Sequence, residues 1–155
     1  GAVSAPMQAS AFQQAFQRAL SGQTVLVPGA DHVIRSLSGR FPLFAASNGM
    51  LKIQLSRLKS AGLLSCFSDV FVSDEIGFEK PDSRFFKECL HRIHLRPEEV
   101  LMVGDSLQAD IAGGIESNLK TCWLNRTKQS SPSSLIPDYE LRALPELLTL
   151  LIKKE

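Results

Sequence analysis

Apolar and polar positions fall into two kinds of block along most of this chain. Short runs that are apolar at nearly every position, Leu43-Phe44-Ala45-Ala46, Val70-Phe71-Val72, Val100-Leu101-Met102-Val103 and Thr121–Leu124, are separated by longer stretches with apolar residues every three or four positions. The first kind predicts strands buried on both faces, the second amphipathic helices. Leu51, Leu55 and Leu58 predict a helix over Met50–Ala61 with that face inward. Phe85, Phe86, Cys89 and Leu90 predict another over Ser83–Ile93, and further helices are expected at Leu107–Ser117 and Leu144–Lys153. The Pro28-Gly29-Ala30 turn opens a helix to Ser38, with Asp31 in an N-cap context and Gly39 closing it. Residues 126–137 read as a polar surface loop, and Tyr139–Leu141 as a short edge strand. Strands alternating with helices predict an α/β fold: a three-layer, Rossmann-like parallel sheet with helices on both faces and right-handed crossovers. Ahead of this pattern, Phe12, Phe16 and Leu20 recur at spacing four, which predicts a helix over Met7–Leu20 ended at Gly22.

The polar residues at the strand ends carry the chemistry. The run Val100–Val103 ends in Gly104-Asp105-Ser106, with Asp110 five residues after Asp105. Both acids should face the crevice beyond the strand ends, where open parallel sheets bind ligands. A carboxylate pair there suits Mg²⁺, a hard cation taken by oxygen ligands and a substrate phosphate. The run Leu43–Ala46 ends in Ser47-Asn48-Gly49, where a hydroxyl and backbone N–H groups at a strand-to-helix turn offer an anion site. Lys80, before Pro81 and the candidate N-cap Asp82, could neutralise a phosphoryl group. Each motif has a plainer reading: Ser47 as a helix cap, Lys80 as a solvated lysine, Asp105 as a turn acid, Asp110 as a first-turn acid favoured by the helix dipole.

Taken in series, Ser47-Asn48-Gly49, Lys80-Pro81 and Gly104-Asp105-Ser106 through Asp110 resemble motifs two, three and four of the haloacid dehalogenase superfamily phosphatases. Val100–Gly114 followed by Leu119–Asn125 is most similar to the pyrimidine 5′-nucleotidase branch, with N-acylneuraminate phosphatases close behind. The resemblance implies a Mg²⁺-dependent phosphomonoesterase, nucleotidase-like, working through an aspartyl-phosphate on a small phosphorylated metabolite, a nucleoside monophosphate being the best guess. Catalytic roles would fall to Ser47 and Lys80, phosphate binding to Ser47, Asn48 and Lys80, and the metal to Asp105 and Asp110, the last also able to orient Lys80.

The family's first motif, a strand ending in Asp-x-Asp-x-Thr whose first aspartate is the nucleophile, does not occur in this chain. Asp31, Asp69, Asp74 and Asp82 lie in contexts that suit none of them to replace it. The resemblance therefore implies a core without its first central strand, and without most of its helical cap: residues 1–24 as a cap remnant and 25–155 as the core. An open slot between two apolar strands leaves ladder groups unpaired, so the sheet is expected to need a filler. A missing N-terminal segment, a second copy, or a rearranged sheet would serve, the first being favoured. The chain alone would then be inactive, its nucleophile lying outside it. The alternative is a non-catalytic phosphate- and metal-binding protein that has lost the nucleophile; a dehalogenase is a third reading, disfavoured because it has no need of the acid pair.

Bulk properties narrow the class further. A chain of 155 residues makes one domain, and 44% hydrophobic with 21% charged residues excludes disorder and fibrous classes. A net charge of +1 gives no reason to expect nucleic acid or an anionic membrane, and no apolar run reaches spanning length. Three scattered cysteines, Cys66, Cys89 and Cys122, read as reduced thiols and a cytoplasmic setting. His91 and His94 sit three apart near Cys89 but lack further ligands for a metal, and read as a solvated helix face. The chain starts without methionine or a signal-peptide pattern, as a processed or truncated N-terminus would.

Overall fold

A computed structural model describes residues 9–12 and 27–152. Six strands form one wholly parallel sheet in the order β3-β2-β1-β4-β5-β6. They are β1 (Ala9–Phe12), β2 (Leu43–Ser47), β3 (Asp69–Val72), β4 (Val100–Gly104), β5 (Lys120–Leu124) and β6 (Tyr139–Leu141). The helices are α1 (Ala30–Ser38), α2 (Leu51–Ser60), the single turn α3 (Ser73–Ile76), α4 (Ser83–Ile93), α5 (Gly113–Glu116) and α6 (Glu146–Leu151).

The expected α/β architecture is present, and the continuous apolar runs explain it. Both β2 and β4 are buried at every position because each face of the sheet is covered. Alternate residues point to opposite layers. Leu43 and Ala45 of β2 join Leu101 and Val103 of β4 beneath Val33, Ile34, Leu37, Leu58 and Leu147 of the helices. Phe44, Ala46 and Met102 face the other way, against Phe85 and Phe86 of α4.

The central slot departs from expectation. Ala9–Phe12 pair in parallel with β2 on one side and β4 on the other, in register Phe12 to Ala45 and Phe12 to Val103. The sheet thus has its central strand, supplied by neither an added segment nor a second copy but by the chain itself. The helix expected over Met7–Leu20 is corrected at these four residues, and the rest of it lies outside the described residues, as does most of the expected cap remnant. The physical reason is the ladder: β2 and β4 each offer a row of backbone groups that must find partners, a demand that overrides a helical spacing of side chains.

Two smaller expectations also change. Gly29, at φ 84°, occupies the N-cap of α1, a left-handed conformation suited to glycine, and Asp31 in the first turn instead accepts from Arg35 Nε at 2.9 Å. The helix after β4 is not regular. Leu107–Ala112 form a wide π-helical turn leading into α5, with Ser106 O accepting from both Asp110 N (3.0 Å) and Ile111 N (3.2 Å).

Candidate active site

The carboxyl ends of β2 and β4 bring three separated stretches of sequence together. Lys80 is buried at 2% exposure, and its ammonium donates to Ala46 O (3.0 Å) and to Asp110 Oδ1 (3.1 Å). Asp110 is fully buried, and its second oxygen accepts from Ser106 N at 3.2 Å. Burial pushes the Lys80 pKa down from 10.5 to about 8, against the pull of the Asp110 and Asp105 carboxylates. At neutral pH the group therefore still carries its proton. Gly104 makes the ion pair fit: a Cβ there would lie 2.5 Å from Asp110 Cγ. An ammonium has three donors, so one remains for a ligand.

Asn48 does something the sequence did not reveal. Its Oδ1 accepts from Lys80 N (2.8 Å) and its Nδ2 donates to Lys80 O (3.0 Å), clamping the lysine backbone against the end of β2. With its amide so engaged, the Asn48 side chain positions Lys80, and a phosphate would be met by backbone N–H or by Ser47. The Gly49 N–H is already taken by Ser73 Oγ at 2.9 Å. Ser47 Oγ is buried and has no hydrogen-bond partner among the described residues. Ser47 caps no helix, because the N-cap of α2 is Met50. A buried hydroxyl without a partner is costly, and a ligand oxygen would satisfy it. Gln54 was missed altogether: it is 6% exposed, on the face assigned to leucines, and Nε2 lies near the Gly49 turn.

Asp105 begins the turn after β4 and is half-buried. Its carbonyl accepts from Trp123 Nε1 at 3.2 Å, so this buried tryptophan also fixes the backbone of the acid. Asp105 lines a cavity of about 390 Å³ that continues over the ends of β5 and β6. This donor set fits Mg²⁺, which keeps several waters and takes one or two carboxylates together with a substrate phosphate. Asp105 borders the cavity, whereas Asp110 is enclosed with Lys80, the setting of a group that orients the lysine. Among the described residues no three His, Cys, Asp or Glu side chains converge on a metal position, and His91 and His94 are exposed.

The thiols take no visible part. Burial pushes Cys89 and Cys122 up to about 12, so both stay neutral at ordinary pH. Asp82 caps α4 as expected, accepting from Arg84 N at 2.9 Å. No described helix is long and apolar enough to cross a membrane.

Comparison with known proteins agrees with this geometry. The family model described as haloacid dehalogenase-like hydrolase matches residues 5–118. The HAD-hydrolase YfnB of Bacillus subtilis is 39% identical over 140 residues, covering 90% of this chain and 60% of that protein. The pyrimidine 5′-nucleotidase PynA of Streptococcus pneumoniae is 36% identical over 142 residues, again 90% of this chain and 60% of the relative. A crystal structure of YfnB bound to magnesium superposes with a TM-score of 0.81 at 39% identity, over 87% of this chain and 60% of that one. The chain thus spans about 60% of the length of these relatives.

Proposed function

This chain belongs to the haloacid dehalogenase-like hydrolase family, and from that membership we propose that it is the core of a Mg²⁺-dependent phosphomonoesterase, nucleotidase-like, acting on a small phosphorylated metabolite. The observation that carries the reading is the buried Lys80–Asp110 pair spanning the ends of β2 and β4, with the partnerless hydroxyl of Ser47 beside β2. Residues 25–155 form the catalytic core together with the central strand Ala9–Phe12. A nucleoside monophosphate is the favoured substrate, in keeping with the named activity of PynA.

In this reading the phosphoryl group lies over the ends of β2 and β4. Ser47 Oγ donates to one phosphoryl oxygen and the free donor of Lys80 to another. Asp110 and Asn48 hold Lys80 from two sides, so the ammonium does not reorganise as charge develops on the oxygens. Asp105 holds Mg²⁺, which supplies further neutralisation of phosphoryl charge. The nucleophile is an aspartate outside this chain, whose first thirty residues contain neither Asp nor Glu.

One observation favours the second reading, a non-catalytic phosphate- and metal-binding protein. The central position of the sheet is filled by Ala-Ser-Ala-Phe, which brings no carboxylate. Phosphate release separates the two. The experiment fuses an apolar strand ending in Asp-x-Asp-x-Thr ahead of Gly1, to take the central place of Ala9–Phe12 between β2 and β4, and assays it with Mg²⁺ on a panel of phosphorylated metabolites. The phosphomonoesterase reading expects turnover from the fusion, abolished by Lys80→Met, and none from the chain alone. Phosphate binding without release by either protein would favour the second reading, and absence of binding would overturn both.

A further inference from the structure

The cavity beyond Asp105 is lined on its apolar side by Val27, Leu124 and Leu144, and its polar side carries Arg126, Thr127 and Arg142. None of these six residues takes part in the arrangement around Lys80. The polar rim is built on a buried anchor. Asn125, 2% exposed, donates to Gln129 O (2.7 Å) and to the Glu140 carboxylate (2.8 Å), and its Oδ1 accepts from Gln129 N (2.8 Å). Those bonds close residues 125–129 into a pinned turn directly after β5. Arg142 is anchored to the same point, Nη1 donating to Asn125 O at 3.3 Å and meeting the Glu140 carboxylate at 3.0 Å. Thr127 Oγ1 accepts from Gln129 Nε2 at 3.0 Å, which leaves its own hydroxyl proton to donate.

The charges on this rim do not balance. Glu140 answers Arg142, while Arg126 has no ion pair among the described residues. An exposed arginine needs no partner in water. Here, however, the residue before it is buried and bonded three times, and the turn it fixes sets a guanidinium on a cavity that also reaches Asp105. Such a site presents a planar fork of donors that matches carboxylate or phosphate oxygens. A cavity of about 390 Å³ is the size of a small-metabolite pocket.

We propose that this cavity receives the non-reacting end of the substrate, and that Arg126, with Arg142 behind it, selects phosphomonoesters bearing a second anionic group, a carboxylate or another phosphate. The proposal rests on the phosphomonoesterase reading but departs from it on substrate, favouring phosphorylated acids and bisphosphates over nucleoside monophosphates, whose nucleoside offers Arg126 no second anion. Lys80 takes the reacting phosphoryl group and Arg126 the distal anion, with Asp105 between them on the wall of the crevice.

Calorimetric titration of the 155-residue chain in Mg²⁺ with two matched ligand pairs tests this. Glycerol 3-phosphate against 3-phosphoglycerate reads the carboxylate, and fructose 6-phosphate against fructose 1,6-bisphosphate reads the second phosphate. In at least one pair the second anion should tighten binding roughly tenfold, the scale of one charge-assisted hydrogen bond. The pair that responds identifies which anion the site takes. Arg126→Gln should bring that ratio close to one, while Lys128→Gln, on the same loop but off the cavity, leaves it intact. Equal affinities within both pairs, or a preference that survives Arg126→Gln, would overturn the proposal while phosphate binding itself stands. If none of the four ligands binds, nor inorganic phosphate, the phosphomonoesterase reading falls and this one with it.

Discussion

Lys80 and Arg126 are both cations at the carboxyl edge of one sheet, yet their surroundings differ in kind. Lys80 is enclosed, bonded through its ammonium to Ala46 and Asp110 and through its backbone to Asn48. Arg126 is exposed on a turn whose rigidity comes from its neighbour Asn125. On the proposed function the β2–β4 end of the crevice would couple ligand binding to folding, because Lys80, the group proposed to meet the phosphoryl oxygens, is also part of a buried ion pair. The β5–β6 end would separate the two, because the turn is held by Asn125 and the proposed ligand by the exposed side chain of Arg126. A protein built this way can change its preference at the far end without disturbing the reacting end.

The largest effect expected from breaking this contrast is at Asp110. Asp110→Ala leaves the Lys80 charge buried without its carboxylate and should cost about 3–5 kcal/mol in urea unfolding. The double variant Lys80→Met with Asp110→Ala should recover part of that loss and still fail to bind phosphate, since it removes the buried charge left without a partner. A double variant no more stable than Asp110→Ala would show that the pair does more for the fold than charge compensation.

Asn48→Ala comes next. It strips two bonds from the Lys80 backbone and should cost about 1–3 kcal/mol, with phosphate affinity falling as well because Lys80 loses its seat. Unchanged affinity in a destabilised variant would mean that Asp110 and Ala46 suffice to place the ammonium.

A pH series sharpens the comparison without mutation. As pH rises through about 8, Lys80 in the folded chain gives up its proton before the unfolded chain does at its ordinary 10.5. Across that window the unfolded state binds more protons, so this group adds to stability with rising pH while phosphate affinity falls. The Arg126-dependent ratio should stay level throughout, since a guanidinium does not titrate there. Calorimetry at several pH values checks both, and a ratio that fell along with phosphate affinity would place Lys80 at the distal subsite too.

The smallest effect expected is the stability change in Arg126→Gln, within about 0.5 kcal/mol because the side chain is exposed and unpaired. A larger loss in thermal or urea unfolding would mean that Arg126 helps hold the turn.

Strands of the same sheet were unequally legible. In β4 the apolar run Val100–Val103 and the Gly104-Asp105 that follows announced a buried strand and the turn that ends it, and both are where the pattern put them. In β1 the helical spacing of Phe12, Phe16 and Leu20 pointed elsewhere, and the assignment of Ala9–Phe12 followed from two neighbours distant in sequence that required a backbone between them. The site divides similarly. Ser47, Lys80, Asp105 and Asp110 stand out because strand ends and turn residues mark them. Gln54 does not, because a glutamine in a helical stripe of leucines carries no local sign of being buried. Only the fold reveals that the Trp123 indole donates to the Asp105 carbonyl, eighteen positions away.

The sequence by itself determined β2 to β6, the longer helices between them though not the single turn α3, and the residue types at the strand ends, because periodicity and turn chemistry are properties of adjacent residues. Tertiary structure decided which of those residues meet. Lys80 finds Asp110 thirty positions on and Asn48 thirty-two positions back. Arg142 reaches the Asn125 carbonyl across seventeen. Pairings at such separations depend on strand order and on what the packed layers leave open, and no window along the chain contains either.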